Sequence, residues 1–276
     1  MKQEIIYTKN GVTKTITLTK INIKNPFKQI FSKCYSKEGH SIYEIHKDIR
    51  NVRFANIDFS GKLSLFRCQG NQTHVVFENC LFNDNNQILK FGNGYAIVLY
   101  NCQFGNNLTL LADNPKLDLT VINQTEEDRI NYQIFCKNIY LQSNKNKGTI
   151  KVRAKEITLV GVDNNNELSL VADNTQILYS SLITNKVKSN KIKLIDSQII
   201  SLTDENLKIS TEELSGNNYT LLSMSDIQIG NDIYKKEQLP FLLLTDQDIL
   251  LHNQNKVSGL KLVRQKMKSY KFNKRN

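Results

Sequence analysis

The chain has 276 residues, of which 39% are hydrophobic and 23% charged, and its formal net charge is +11. This length fits one large domain or two ordinary ones. No run approaches about eighteen uncharged apolar residues, and Lys9 and Lys14 interrupt the apolar stretch that a secretory signal needs. The sequence therefore predicts no membrane span and, by default, a cytoplasmic location.

Residues 1–50 predict an N-terminal cap made of a hairpin and a short helix. The stretch EIIYTKNGVTKTITL contains Asn10-Gly11, a pair favoured in two-residue hairpin turns. The stretch NPFKQIFSKCYSK at residues 25–37 begins with an asparagine N-cap and a proline, as many helices do. The predicted apolar face of this amphipathic helix consists of Phe27, Ile30, Phe31 and Cys34.

One seven-residue phrase is written three times in the next part of the chain. It is RFANIDF at residues 53–59, VFENCLF at 76–82 and VLYNCQF at 98–104, so the copies are 23 and 22 residues apart. Self-similarity at a period of about 20–50 residues is typical of a solenoid. The aligned sets are Phe54, Phe77 and Leu99; Asn56, Asn79 and Asn101; Ile57, Cys80 and Cys102; and Phe59, Phe82 and Phe104.

Later segments alternate apolar and polar residues, as strands with one buried face do. Asn, Asp, Gly and Ser separate them, and two or three short strands fit each turn of about twenty residues. Residues 51–235 are therefore predicted to form a parallel β-helix whose coils stack about 4.8 Å apart. The alternating segments are TIKV (149–152), ITLV (157–160), LSLV (168–171), IKLI (192–195) and LKIS (207–210).

In such a fold the aligned residues of successive coils stack on one another. The sequence predicts an internal phenylalanine ladder, an internal Ile/Cys ladder, and an asparagine ladder at a tight turn, where Asn tolerates a left-handed backbone. The phrases LSLFRCQ at 63–69, LTLLADN at 108–114 and LSLVADN at 168–174 extend the alignment, with spacings of 45 and 60 residues. The ADN triplet is predicted to be an exposed turn.

The repeat length narrows the choice among solenoids. Repeats of eighteen to twenty-four residues argue against the left-handed hexapeptide helix, and the pentapeptide-like phrase ANIDF at 55–59 does not recur every five residues. The repeat form over residues 50–230 resembles the right-handed, pectin-lyase-like β-helices. The predicted fold is all-β: a right-handed parallel β-helix solenoid with a short N-terminal hairpin and helix cap and a basic C-terminal tail.

The resemblance implies an activity on acidic polysaccharides, whose hydrolases are similar in using Asn-Thr-Asp, Asp-Asp, Gly-His-Gly and Arg-Ile-Lys phrases. This sequence has neither Asp-Asp nor Gly-His-Gly, and RIN at 129–131 only approaches the last phrase. Asp113 and Asp173 would be three coils, or roughly 14 Å, apart. That separation exceeds the roughly 5–9.5 Å between paired glycosidase carboxylates. No catalytic residue is predicted.

Cysteine and histidine spacing predicts no metal site, no cofactor site and no disulfide framework. The five cysteines are odd in number and include no C-x-x-C pair, and the four histidines form no spaced pair on one element. Cys80, Cys102 and Cys136 are instead expected to be buried, reduced thiols that pack as small hydrophobes.

Positive charge is concentrated at the two ends of the chain. Residues 1–51 carry +6, residues 52–255 carry −3, and residues 256–276 carry eight basic side chains and no acidic one. Residues 236–276 are predicted to form a C-terminal cap, through the apolar stretch LPFLLLTDQDILLHN, and then a basic tail. The tail residues that suit binding to phosphates and stacked bases are Lys261, Arg264, Lys266, Lys268, Tyr270, Lys271, Lys274 and Arg275.

Several roles remain open for this tail: a solvated extension, an arm that binds nucleic acid or another polyanion, a segment that docks on an acidic protein partner, or a final amphipathic helix. The leading hypothesis is a non-enzymatic β-helix scaffold or binding protein that contacts an anionic or protein partner through its basic termini. The alternative is a protein that binds or cleaves polysaccharide along the lateral groove of the solenoid. Its candidate residues are Lys151, Arg153, Lys155 and Asp173.

Overall fold

The computed structural model describes residues 2–18, 29–37, 40–59, 65–70, 73–82, 88–105, 108–123, 129–142, 146–164, 166 and 168–255. They form a β-solenoid of about eight turns, with 67% strand and 3% helix. The predicted all-β class and the parallel β-helix are confirmed, while the hand of the coil stays a prediction. Within these ranges no helix has both the length and the apolarity needed to cross a membrane.

The strands in chain order are β1 (Gln3–Lys9), β2 (Val12–Leu18), β3 (Phe31–Lys37), β4 (His40–Ile45), β5 (Ile49–Ala55), β6 (Leu65–Cys68), β7 (His74–Glu78), β8 (Leu81–Phe82), β9 (Ile88–Phe91), β10 (Ala96–Tyr100), β11 (Gln103–Phe104), β12 (Thr109–Ile122), β13 (Asn131–Gln142), β14 (Ile150–Arg153), β15 (Glu156–Val160), β16 (Asp163–Asn164), β17 (Leu168–Leu178), β18 (Ser181–Ile183), β19 (Lys186–Ile195), β20 (Gln198–Ser201), β21 (Leu207–Ser210), β22 (Glu213–Asn217), β23 (Thr220–Ser223), β24 (Ile227–Ile229), β25 (Asp232–Tyr234) and β26 (Leu242–Thr245). One helix follows, α1 (Asp246–Asn255).

The coils build three sides. The first sheet contains β4, β6, β9, β14, β21, β24 and the N-terminal parts of the long strands β12, β13, β17 and β19. The second sheet contains β5, β7, β10, β15, β22 and the C-terminal parts of the same long strands. The third side carries the short strands β8, β11, β16, β18, β20 and β23.

The predicted ladders of the early coils are confirmed. The rings of Phe59 and Phe82 stack with centroids 5.5 Å apart and planes 9° apart, and those of Phe82 and Phe104 at 5.7 Å and 10°. Ile57, Cys80 and Cys102 are buried behind them. The repeated phrase therefore recurs because its residues stack on copies of themselves.

The asparagine ladder occupies the corner between the second and third sides. Asn56, Asn79 and Asn101 have φ angles of 56°, 49° and 48°, in the left-handed region. Asn101 Nδ2 donates a hydrogen bond to Asn79 Oδ1 at 2.7 Å. In later coils the same corner position holds Gly161, Tyr179, Asp196 and Asn218, all with positive φ.

The N-terminal hairpin is confirmed, but the helix predicted after it is wrong over its second half. Strands β1 and β2 pair antiparallel around Asn10-Gly11, and β1 also pairs antiparallel with β5, which covers the edge of the second sheet. Residues 31–37 form β3, which pairs antiparallel with β4. That pairing favours the two-residue period over the helical one. Residues 25–28 lie outside the described ranges.

The second repeated phrase needs two corrections. Phe66 pairs with Phe91, and Phe91 with Ala112, so the true spacing is 46 residues and the predicted alignment was wrong by one. The ADN triplets lie inside β12 and β17, where these strands bend between the first and second sheets, and do not form separate turns. Asn114 makes the local contact: its Oδ1 accepts a hydrogen bond from the Lys116 backbone N–H at 3.0 Å.

The C-terminal end of the solenoid is covered by β26 and α1. Strand β26 pairs antiparallel with β23, and Leu242, Leu244 and Ile249 are buried. Thr245 Oγ1 and the Thr245 backbone N–H both donate to Asp248 Oδ2, at 2.8 and 2.9 Å, which fixes the start of the helix. This agrees with the prediction that the apolar stretch before the tail caps the last coil.

Candidate functional site: the basic lateral face

The tail residues proposed from the sequence lie outside the described ranges, and their role stays a prediction. Helix α1 ends at Asn255, directly before them. The residues concerned are Lys261, Arg264, Lys266, Lys268, Tyr270, Lys271, Lys274 and Arg275.

The structure brings together the four candidates for the lateral groove. Lys151 and Arg153 both point outward from β14, and Lys155 follows where the chain bends toward the second sheet. Asp173 lies on the next coil, where its backbone N–H donates to the Lys155 carbonyl oxygen at 3.1 Å. All four side chains are exposed. The sequence therefore located the centre of a continuous charged surface.

Three further cations on the first sheet extend this surface. Arg153 is in register with Val171, and Val171 with Lys188, so these side chains share one row across three coils. Lys186 lies on the same side of β19 and is in register with Lys208 on β21. We call this surface the basic lateral face; it consists of Lys151, Arg153, Lys155, Lys186, Lys188 and Lys208.

The fold places these cations on a regular grid. Residues two apart on one strand are separated by about 6.6 Å, and residues in register on neighbouring coils by about 4.8 Å. Lys186 and Lys208 are therefore adjacent, and Arg153 and Lys188 are two coils apart, or about 10 Å. From Lys151 to Lys208 the face spans three coil steps, or roughly 14 Å.

Few carboxylates balance this charge. Among the described residues, Arg153, Lys186, Lys188 and Lys208 form no ion pair within 4.0 Å, whereas Lys191 pairs with Glu213 at 3.4 Å on the second sheet. The acids near the face lie at its margins: Asp173 beside Lys155, and Asp204 and Glu205 in a depression shared with Lys186 and Lys208. Like charges in register repel, so the face has a positive field that an anion would relieve.

An aromatic residue lies within the face. Phe135 is 37% exposed and is in register with Asp113 on one side and Arg153 on the other. The Arg153 guanidinium carbon lies 5.6 Å from the Phe135 ring centroid, within the range of a cation–π interaction. Both residues line a shallow depression of about 410 Å³. The arrangement offers a cation and a flat apolar ring to one ligand.

The thiols are set back from this surface. Cys68, Cys80, Cys102 and Cys136 are buried and free. Burial raises the pKa of Cys68 to about 12, and burial with the nearby Asp118 carboxylate raises the pKa of Cys136 to about 12. Burial also raises the pKa of Cys102. A protonated, buried thiol is a poor nucleophile, so these side chains serve packing, as expected.

In the part of the chain that the structure describes, no three His, Cys, Asp or Glu side chains are grouped to hold a metal ion. Asp113 and Asp173 are separated by three coils, through β13 and then β14. Comparisons with protein-family models, with curated proteins and with solved structures find no match to this chain.

Proposed function

We propose that this protein is a non-enzymatic β-solenoid that binds an extended polyanion along the basic lateral face. The observation that carries the proposal is the row of outward cations, from Arg153 to Lys188 and from Lys186 to Lys208, with acids only at its margins. A solenoid stays rigid from coil to coil, so the cations are held in place before a ligand arrives. Preorganised charge reduces the ordering cost of binding.

The geometry favours a linear ligand over a small anion. The cations are spread over roughly 14 Å, which a single phosphate or sulfate cannot span. A polymer that crosses the coils would meet a cation at intervals of about 5–10 Å. Each phosphate that a cation neutralises releases condensed counterions, which drives association at low salt. Single-stranded nucleic acid is the first ligand to test, because Phe135 can stack a base.

The basic tail is a second contact in this proposal. It follows α1 and carries eight of the cations in the sequence. A second contact joined to the same chain raises the apparent affinity through effective concentration. Nucleic acid or another polyanion bound by the face would then be held at two places.

An acidic polysaccharide is the second candidate ligand. The observation that favours it is the pairing of Arg153 with Phe135, because a guanidinium can bind a carboxylate in bidentate fashion while a ring packs against a sugar. In this alternative the face binds the chain without cleaving it, since Asp113 and Asp173 are too far apart for paired acid–base work.

The test is fluorescence anisotropy with a labelled 20-nucleotide oligo(dT) and a labelled polygalacturonate fragment, at low salt. The double variant Arg153→Ser/Lys188→Ser is compared with Lys14→Ser/Lys193→Ser, which removes the same charge from the hairpin and from the second sheet. A third protein ends at Asn255. We expect the first double variant to weaken binding about tenfold and the control to weaken it much less.

Equal losses in both double variants would show that only net charge matters and would refute a specific face. Binding that disappears on truncation alone, with no effect of the face variant, would assign the ligand to the tail. The preferred ligand of the pair decides between nucleic acid and acidic polysaccharide.

A further inference from the structure

A second groove lies on the other side of the solenoid, along the corner that carries the left-handed turns. Its cavity volume is about 500 Å³, within the range of small-ligand sites. One wall is the corner row Gly161, Tyr179, Asp196 and Asn218, and the other is the outward row of the third side, where Asp163, Ser181, Gln198 and Thr220 are in register. The groove crosses four coils.

The floor of this groove is held by hydrogen bonds between coils. Ser180 Oγ accepts from the Val162 N–H at 3.0 Å and donates to the Leu178 carbonyl at 2.7 Å. Ser197 Oγ accepts from the Ser180 N–H at 3.1 Å. Both serines are buried, so these hydroxyls fix the backbone beneath the groove and leave its outer polar groups to face solvent.

Tyr179 is the unusual residue in the groove. Its φ is +52°, and it is the only aromatic residue with a positive φ among the described residues. The corner positions on neighbouring coils hold Gly161 and Asp196, and glycine, asparagine and aspartate tolerate this backbone far better than a bulky side chain. Tyr179 is 64% exposed. It therefore bears strain at a place where packing gives no compensation, as residues at binding sites often do.

The space beside the ring is open. Gly161 precedes Tyr179 by one coil at the corner and has no side chain, so one face of the phenol is accessible along the groove. The lining carries two carboxylates, Asp163 and Asp196, and no cationic side chain. Asn218 Nδ2 donates to Asp196 Oδ1 at 2.6 Å, and Gln198 Nε2 donates to Ser181 Oγ at 2.8 Å.

We infer that this groove binds an uncharged oligosaccharide, with one sugar ring packed against Tyr179. The apolar C–H face of a pyranose fits an aromatic ring, and its hydroxyls pair with planar carboxylate and amide groups such as those of Asp163, Asp196 and Gln198. The two carboxylates disfavour the polyanion proposed for the basic lateral face. They are two coils, or about 10 Å, apart, which is too far to share one metal ion.

The inference is independent of the proposed polyanion function, because it concerns different residues on a different side of the coil. The probes are four uncharged hexasaccharides: cellohexaose, maltohexaose, xylohexaose and N-acetylchitohexaose. Binding is measured by isothermal titration calorimetry with the full chain at 50 mM and 500 mM salt. We expect at least one probe to bind with an affinity that salt leaves unchanged, since no ion pair is involved.

The deciding variant is Tyr179→Asn, matched by Tyr100→Asn, which removes another exposed tyrosine from the second sheet. Asparagine is the residue found at this corner in other coils, so Tyr179→Asn should raise the melting temperature and yet weaken saccharide binding about tenfold or more. Tyr100→Asn should leave the affinity unchanged. Failure of all four probes to bind, retained affinity in Tyr179→Asn, or displacement of the saccharide by spermine would overturn the inference.

Discussion

The early coils and the late coils follow one backbone plan but fill it differently. From Phe54 to Phe77 the second-sheet partners are 23 residues apart, whereas from Ile177 to Leu194 they are 17 apart. The early interior is aromatic, with ring centroids 5.2–5.7 Å apart around Phe54, Phe59, Phe77 and Phe82. The late interior consists mainly of aliphatic residues such as Leu159, Leu182 and Ile199.

Coil length and core composition are therefore linked. Phenylalanine rings need a wider cross-section than isoleucine or leucine, so the coil that encloses them takes more residues. Both surfaces to which we assign ligands, the basic lateral face and the Tyr179 groove, extend over the shorter late coils. We conclude that the aromatic half mainly supplies stability and that the aliphatic half presents the ligand-binding surfaces.

The largest expected effect is a loss of stability in the aromatic half. Phe77 stacks on Phe54 at 5.2 Å and contacts the rings of Phe59, Phe66 and Phe82. Phe77→Ala should lower the free energy of unfolding by about 3–5 kcal/mol, because it leaves a cavity among these rings. Leu159→Ala, in the same ladder of the late coils, should cost less. Chemical denaturation measures both, and the reverse order would contradict the division between the halves.

A smaller loss is expected at Gly216 in the late coils. Its φ is +127°, and a Cβ added there would lie 1.7 Å from the Leu194 carbonyl oxygen. Gly216→Ala should destabilise by about 2–3 kcal/mol, since the coil must shift to accept the methyl group. The control is Gly11→Ala in the hairpin turn, where nothing lies within 4 Å and φ is +77°. That variant should cost only about 1 kcal/mol; equal losses would show that the clash is relieved without strain.

The two halves should also differ in alkaline solution. Burial raises the pKa of Cys68 from 9.0 to about 12 and, with the Asp246 carboxylate nearby, that of Tyr219 from 10.0 to about 12. The folded state then holds its proton where the unfolded state has lost it, so stability falls as pH rises from the unfolded pKa to the folded one. Cys68→Ala should flatten the fall from about pH 9, and Tyr219→Phe only from about pH 10. Denaturation midpoints between pH 8 and 11.5 test this; onset at the same pH for both would contradict it.

The smallest effect is a gain. Thr175 is buried between Ile157 and Ile192 in one internal row, and its Oγ1 has no hydrogen-bond partner among the described residues. Thr175→Val keeps the shape and removes the buried hydroxyl, so it should stabilise the protein by about 1–2 kcal/mol. Ile157→Val, the control in the same row, should destabilise by about 1 kcal/mol. A loss on Thr175→Val, measured by denaturation, would show that the hydroxyl is satisfied.

The sequence predicted the early coils better than the late ones for a physical reason. Identical residues stack well at a repeated position, so Asn56, Asn79 and Asn101 revealed their own alignment. At the same corner of the late coils, Tyr179 and Asp196 share only their backbone conformation. A left-handed turn made by different residues leaves no repeated letter in the sequence, and the groove beside it was missed.

The two other errors have similar causes. The segment FSKCYSK fits both a helical and an alternating pattern, and only its partner strand β4 decides between them. The basic lateral face was found at Lys151, Arg153 and Lys155, which are close in sequence. Lys188 was missed because it joins Arg153 only through the register of β14, β17 and β19.

The salt dependence of oligo(dT) binding tests the central claim most directly. The slope of the logarithm of the association constant against the logarithm of salt concentration changes by about 0.7 for each phosphate of a single strand that the protein no longer neutralises. For Arg153→Ser/Lys188→Ser the account predicts a slope shallower than that of the unmodified protein by about 1.4. The control Lys14→Ser/Lys193→Ser should keep the original slope. An unchanged slope in the first variant, or the same change in both, would contradict a polyanion site on the basic lateral face.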